Sequence, residues 1–331
     1  MTNLPSSKRF WLNFSLKANV KKIFIAVLLI LTLVFAGIII SYWVSQSGLN
    51  PLTPEVRQTL QGEFVELEDG FISYYWKGDE GGDIVVLVHG LSTPKFVWNQ
   101  NVEALVEGGY RVLAFDHYGR GFSDRPDIRY DADLYDRELL NLLNALEVKK
   151  KISLIGYSMG GGVVTGFVAR HPEKVKSVVL IAPAGFIPEY SGLAALVLAP
   201  VLGDWLMALF GKEAMVADIR AEVAAGKSPP TMLTDFEEQF RFKGYLPSIL
   251  STMRNYPMSD LSLDYATAGK QGIPTYAIWG TEDKSVPFAG TDQVKQYIPH
   301  VQIFAIKGAS HSVPYAEADQ VNKILLEVLA K

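Results

Sequence analysis

Apolar residues fall into three regimes along this chain. Ile23 to Val44 is a run of about 22 residues without charge or proline, which as a helix is roughly 33 Å long and can cross a bilayer. From Glu63 onward short apolar runs alternate with longer stretches of helical periodicity. The runs are a Phe64 to Trp76 hairpin turning at Asp69-Gly70, then Ile84 to Val88, Arg111 to Phe115, Ile152 to Ile155, Val178 to Ala182, Thr275 to Trp279 and Gln302 to Ile306. Several are continuous Val/Ile/Leu sequences. Such continuity predicts parallel strands covered on both faces, with Pro94 to Glu107, Ala132 to Leu146, Met159 to Arg170, Phe288 to Tyr297 and Pro314 to Leu329 as the covering helices. The predicted fold is a doubly wound, mostly parallel α/β sheet.

The alternation breaks between about Gly185 and Pro257, where the chain turns mainly helix-like. This third regime reads as a helical cap, residues 185–257, inserted into a core of residues 62–184 and 258–331. Its Leu, Ala, Val, Met, Trp and Phe residues suit either an apolar substrate or plain helix packing. Pro200, Gly203 and Asp204 interrupt its apolar stretches, so a second membrane span is not expected.

The first regime sets the expected topology. Lys8, Arg9, Lys17, Lys21 and Lys22 precede the apolar run and no acidic residue does, so residues 1–22 are expected in the cytoplasm. Residues 23–44 would span the membrane, residues 45–61 would form a Gly/Pro-containing linker, and the rest would lie on the far side, periplasmic or extracellular in a bacterium. Trp43 and Tyr42 would meet the interface at the exit end. A cleaved signal peptide is the rival reading, with Ser45-Gln46-Ser47 as a weak cleavage site, but the run exceeds the roughly 7 to 15 apolar residues of a signal.

Composition then removes classes. A net charge of -4 with mixed signs offers no polybasic groove for nucleic acid. The absence of cysteine excludes disulfides, thiolate metal sites and cysteine nucleophiles. No histidine or carboxylate spacing suggests a metal ligand set, and no cofactor is expected. Gly119-Arg120-Gly121 lacks the third glycine of a dinucleotide fingerprint and reads as a loop that positions Asp116, itself structural.

The candidate chemistry lies at strand ends. Gly156-Tyr157-Ser158-Met159-Gly160 follows the Ile152 to Ile155 strand and opens a glycine-rich helix, the context a nucleophile elbow requires. Gly156 and Gly160 leave room for the tight turn and for close helix–sheet approach. A nucleophilic Ser158 needs a base, and the base needs a carboxylate. Of the 5 histidines, His171, His300 and His117 read as surface or capping residues, and His89 with Gly90 reads as structural support after a strand. His311 remains, in a loop between the last strand and last helix, and is the expected base. Asp283, in Trp279-Gly280-Thr281-Glu282-Asp283 after a strand, is the expected acid, with Glu282 as its close rival.

Together His89-Gly90, Asp116 to Ser123, Gly156 to Gly160, Trp279-Gly280-x-x-Asp283 and Gly308-x-x-His311, in the chain order Ser158, Asp283, His311, resemble the α/β-hydrolase superfamily from about Gly62 to the C-terminus. The likeness is to serine esterases and monoacylglycerol-lipase-like members. It implies an oxyanion hole from the backbone N–H groups of Leu91 and Met159, and acyl transfer from an ester to water. A serine at position 158 disfavours the aspartate-dependent dehalogenases and epoxide hydrolases. The expected partner is a small-molecule ester, lipid-like or of medium chain length. Carbon–carbon bond hydrolysis, cofactor-free perhydrolysis and a non-catalytic ligand receptor on the same fold stay open.

Overall fold

The computed structural model describes residues 6–60 and 62–331, and for residues 6–19 and 193 the backbone alone. Residues 1–5 and 61, the outer ends of the expected N-terminal segment and linker, lie outside the described residues. The chain divides into two compact units, with Gly48 closing the first and Leu49 to Lys331 forming the second.

The first unit is the helix α1 (Ser6–Gln46). Its stretch Val20–Gln46 reaches a mean hydropathy of 3.3, has none of its most apolar window buried, and is long and apolar enough to cross a membrane. Within that stretch Thr32 donates to the Leu28 carbonyl at 2.8 Å and Ser45 to that of Tyr42 at 2.7 Å, so these hydroxyls are satisfied on the helix itself.

The second unit begins earlier than composition suggests. Gly48, Pro51 and Pro54 read as linker, yet Thr53 caps a short helix α2 (Pro54–Arg57), and Arg57 pairs with Asp124 while stacking 4.2 Å over the Phe71 ring. Only Ser47 and Gly48 separate α1 from the folded domain.

There follow β1 (Glu63–Leu67), β2 (Gly70–Lys77), β3 (Asp83–Val88), α3 (Val102–Glu107), β4 (Tyr110–Phe115), α4 (Ala132–Ala145), β5 (Ile152–Tyr157), α5 (Met159–Arg170) and β6 (Val175–Ile181). A helical insertion then carries α6 (Leu202–Ala224), α7 (Pro230–Gln239) and α8 (Tyr245–Asn255). The core resumes with α9 (Ser262–Lys270), β7 (Thr275–Gly280), α10 (Gly290–Tyr297), β8 (Gln302–Ile306), α11 (Val313–Ala316) and α12 (Ala318–Leu329). The helix expected over Pro94 to Glu107 is broken, with a 3-10 turn at Lys95–Trp98 before α3.

The strands form one eight-stranded sheet in the order β1-β2-β4-β3-β5-β6-β7-β8. β1 and β2 pair antiparallel, as does β2 with β4, and every later pairing is parallel. Because successive side chains point to opposite faces, the apolar runs feed two cores. Val86, Val88, Leu113, Phe115 and Leu154 face α4, α5, α9 and α10, whereas Val85, Leu87, Val112, Ala114 and Ile155 face α3, α12 and the insertion. Met207, Val216, Ile219, Phe236, Tyr245 and Ile249 of the insertion join that second core, so much of its apolar content is helix packing.

β4 and β5 flank β3, so the chain leaves β3 toward one side and later returns on the other. A crevice at the C-terminal ends of such strands is where α/β sheets hold ligands. The ends of β3, β5, β7 and β8 all meet there.

Candidate active site

Ser158 sits between β5 and α5 with φ 54° and ψ -121°, a conformation L residues rarely adopt. The turn is held by Ser158 N–H donating to the Ile181 carbonyl at 2.9 Å, while its own carbonyl accepts from Gly161 at 2.9 Å and Ala184 at 2.8 Å. The glycines around it are forced by contact. A Cβ on Gly160 would lie 2.2 Å from the Val88 oxygen, one on Gly156 would lie 2.4 Å from the Gly160 oxygen, and one on Gly90 would crowd Ser158 Cβ at 3.1 Å.

His311 reaches this serine from the loop between β8 and α11, with Nε2 3.0 Å from Ser158 Oγ. Its Nδ1 lies 2.7 Å from Asp283 Oδ2. Asp283 is buried, and its Oδ1 accepts from the N–H groups of Ser285 at 2.9 Å and Val286 at 2.8 Å. With a carboxylate that only accepts, Nδ1 carries the hydrogen and Nε2 is left to accept from the serine hydroxyl. Glu282 is exposed, and it is Asp283 that His311 Nδ1 meets, so the neighbouring carboxylate holds no place in this relay. Gly280 lets the two loops meet, since a Cβ there would lie 2.4 Å from the Ala309 oxygen and 2.5 Å from that of Ser310.

Met159 is the first residue of α5, so its N–H has no intrahelical acceptor. The Leu91 N–H, just past β3, likewise donates to no described residue. Beneath them His89 donates from Nδ1 to the Gly90 carbonyl at 2.8 Å, and its Nε2 accepts from His117 N–H at 2.9 Å. That tautomer and its burial, which holds its pKa well below the usual value, leave His89 as a neutral brace.

Some contributors were not legible in sequence. Arg120 is fully buried, donating from Nε to the Leu91 carbonyl at 2.9 Å, from Nη1 to that of Tyr118 at 3.1 Å and from Nη2 to Thr252 Oγ1 at 2.7 Å. Tyr245, also on α8, donates to the Ser92 carbonyl at 2.7 Å. The insertion therefore holds the loop that carries Leu91. It holds the His311 loop too: Glu222 of α6 accepts from Ser310 at 3.1 Å and Ser312 at 2.6 Å. Tyr157 lies with its ring 5.1 Å from that of His311 and donates to the His311 carbonyl at 3.1 Å.

Asp116 behaves as a structural residue. Burial opposes its charge, but the Lys95 ammonium paired with it and the Phe122 N–H outweigh it and hold the pKa below the usual range. Gly121, at φ 53°, wraps so close that a Cβ would lie 2.0 Å from the Asp116 carboxyl carbon.

The other histidines divide. His171 lies 3.2 Å from Asp136 at the end of α5, and His300 is exposed beside the Ile273 carbonyl. His117, expected at the surface, is instead fully buried against Glu138. A loop position says nothing of burial, and the Glu138 partner lies 21 residues away in α4. Among the described residues no group of three or more His, Asp or Glu could hold a metal ion.

Residues 83–318 match the family described as the alpha/beta hydrolase fold. The chain belongs to that family. It is 27% identical over 291 residues to a protein of Synechocystis described as a candidate non-heme chloroperoxidase, covering 78% of this chain and 95% of that one. It is 24% identical over 295 residues to a 2-hydroxy-6-oxononadienedioate/2-hydroxy-6-oxononatrienedioate hydrolase of Paraburkholderia xenovorans, covering 83% of this chain and 97% of the relative. The fold of the hydrolase domain is also that of an enol-lactonase from Burkholderia xenovorans, with a TM-score of 0.70 at 21% identity over 81% of this chain and all of that one.

Proposed function

We propose that the chain is a serine hydrolase that cleaves carboxylic esters through an acyl-enzyme. The observation that carries this is the relay from Ser158 through His311 to Asp283, at 3.0 Å and 2.7 Å, with the serine on a positive-φ turn. In this reading Ser158 Oγ attacks the ester carbonyl carbon as His311 Nε2 takes its proton. The oxyanion accepts from the N–H groups of Leu91 and Met159, and the Asp283 carboxylate stabilises the imidazolium. The tetrahedral adduct collapses, the carbon–oxygen bond to the alcohol breaks, and His311 returns the proton to the leaving oxygen. Water, deprotonated by His311, then releases the acid and restores Ser158.

The finer substrate proposal is a lipid-like or medium-chain acyl ester. Its support is the apolar helix Val20–Gln46, which we read as a single membrane span with its N-terminus in the cytoplasm and the hydrolase domain on the far side. An acyl-chain-length series of p-nitrophenyl esters on the full chain in detergent, with Ser158→Ala as control, tests both levels. A maximum at medium or long chains is expected, and absence of turnover at every length would sink the esterase reading.

A second reading, hydrolysis of a carbon–carbon bond in a vinylogous diketone, is favoured by the 2-hydroxy-6-oxononadienedioate/2-hydroxy-6-oxononatrienedioate hydrolase among the relatives. Faster turnover of ring-cleavage dienoates than of any ester would select it.

A further inference from the structure

Ile155 and Tyr157 stand two residues apart on β5, so both side chains point to one face of the sheet and join the core shared with α11, α12 and the insertion. Tyr157 ends the strand, directly before Ser158. An aliphatic residue would complete the strand there as well as Ile155 does. Tyr157 is instead a buried phenol whose hydroxyl donates to the His311 carbonyl at 3.1 Å.

The same residue meets the imidazole a second time, through its ring. The two ring centroids lie 5.1 Å apart with their planes tilted by 32°, nearer to stacked than to edge-on. The buried Trp98 ring meets that of Tyr157 at 6.2 Å and 77°, an edge-on contact that packs the phenol in place. Asp283 at Nδ1 and Ser158 at Nε2 engage the ring nitrogens, whose hydrogens and lone pairs lie in the plane of the imidazole. Those are edge contacts. Tyr157 covers a face.

An aromatic face carries partial negative charge and attracts a cation held within about 6 Å of its centroid. His311 becomes such a cation twice in each turnover, once on taking the Ser158 proton and once on deprotonating water. Among the described residues, the ionisable side chains bonded to His311 or to the serines beside it are Asp283, Tyr157, Glu222 of α6, which accepts from Ser310 and Ser312, and Tyr315 of α11, which donates to Ser312 at 3.0 Å. Burial holds the Tyr157 and Tyr315 phenols above their usual values, so both stay neutral through the range in which an imidazole titrates.

We propose that Tyr157 is a positioning residue whose ring stabilises the imidazolium of His311 through its π face while its hydroxyl fixes the His311 backbone. This rests on the reading of His311 as the base of ester hydrolysis. Asp283 then steadies the charge from the edge of the ring and Tyr157 from its face, so the residue before the nucleophile serves the base as well as the strand.

Tyr157→Phe, followed by phenylalanines carrying one, two or three ring fluorines at the same position, keeps the shape of the ring while draining its negative face. The readout is the acid limb of the pH profile, taken on the full chain in detergent as the rate of fluorophosphonate labelling of Ser158 and as kcat/KM for p-nitrophenyl acetate. Because Ser158 reacts only when His311 is unprotonated, fluorination is expected to move that limb stepwise to lower pH, by about half a unit in all, and to lower the plateau rate up to about threefold. Tyr157→Phe, which loses the hydroxyl and keeps the face, is expected to leave the limb in place. The same steps are expected when the series is repeated in Glu222→Gln. A limb that stays put across the fluorinated series, or that already moves in Tyr157→Phe, would leave Tyr157 a mechanical hold on the loop and overturn the proposal. Steps that vanish in Glu222→Gln would assign the effect to that carboxylate and overturn it too. In each case the hydrolase reading stands as long as His311→Ala slows labelling, whereas labelling at the native rate in His311→Ala would overturn both.

Discussion

Ser312 donates its hydroxyl to Glu222 Oε1 at 2.6 Å, joining the loop of His311 to a helix of the insertion 90 residues earlier. The same oxygen accepts from Ser310 at 3.1 Å, so both neighbours of His311 hang from one carboxylate. Glu222 touches neither Ser158 nor the His311 ring in this set of contacts. It acts as a positioning residue.

Removing that acceptor would let the His311 loop drift. Glu222→Ala is expected to lower kcat about tenfold, near 1.4 kcal/mol of transition-state stabilisation, with KM little changed. Glu222→Gln keeps an acceptor oxygen and should restore most of the loss. Steady-state kinetics on a soluble ester separates these outcomes, and an equal fall in both variants would show that charge, not the hydrogen bonds, is what matters.

Arg120 offers a test from the other side of the site. Its three donors serve Leu91, Tyr118 and Thr252 in one planar fork that a lysine cannot reproduce. Arg120→Lys is expected to cost roughly 1 to 3 kcal/mol of stability through an unsatisfied buried acceptor, and to lower kcat by loosening the Leu91 peptide. Chemical denaturation and kcat measured on the same preparation check both. Unchanged kcat would remove the link from Arg120 to the oxyanion donors.

The sheet was legible because its strands are short apolar runs, several of them continuous Val/Ile/Leu, and Ser158, Asp283 and His311 because each follows the end of such a run. Glu222, Arg120 and Tyr245 were not. They act through side chains that cross between the insertion and the core, and no local spacing encodes contacts of 88 or 132 residues' separation. His117 was misplaced for the same reason, since its partner Glu138 is brought to it only by the packing of α4. The linker failed differently: Gly48, Pro51 and Pro54 permit disorder, but Arg57 finds Asp124 and Phe71 once the domain has formed.

The buried pair of His117 and Glu138 gives a pH dependence of stability. Burial pushes the Glu138 carboxyl up to about 8 from an ordinary 4.5, so between those values the folded chain holds a proton the unfolded chain has lost, and stability falls as pH rises. Burial pushes His117 down to about 3 from 6.5, so across that window stability rises with pH. The two oppose each other where they overlap, leaving a net fall from about pH 6.5 to 8. Urea midpoints should decline over that upper range in the native chain. In Glu138→Gln they should be lower but flat, and a native midpoint that rises would contradict the assignment.

Two glycines predict opposite outcomes from the same substitution. Gly160→Ala drives a methyl to 2.2 Å from the Val88 oxygen and should abolish folding or activity. Gly81→Ala meets nothing within 4 Å, and its stability should change by no more than about 0.5 kcal/mol. Thermal unfolding of the pair measures how far close helix–sheet approach, rather than glycine content, supports the turn at Ser158.

The central proposal is that Ser158, activated by His311, forms the acyl-enzyme. Its most direct measurement is peptide mass mapping after a fluorophosphonate has reacted with the full chain in detergent, with ester turnover followed in parallel. The expected result is a single adduct on Ser158 whose appearance tracks the loss of turnover, no adduct in Ser158→Ala, and much slower labelling in His311→Ala. Ester hydrolysis that survives in Ser158→Ala, or an adduct on another residue that accounts for inactivation, would contradict it.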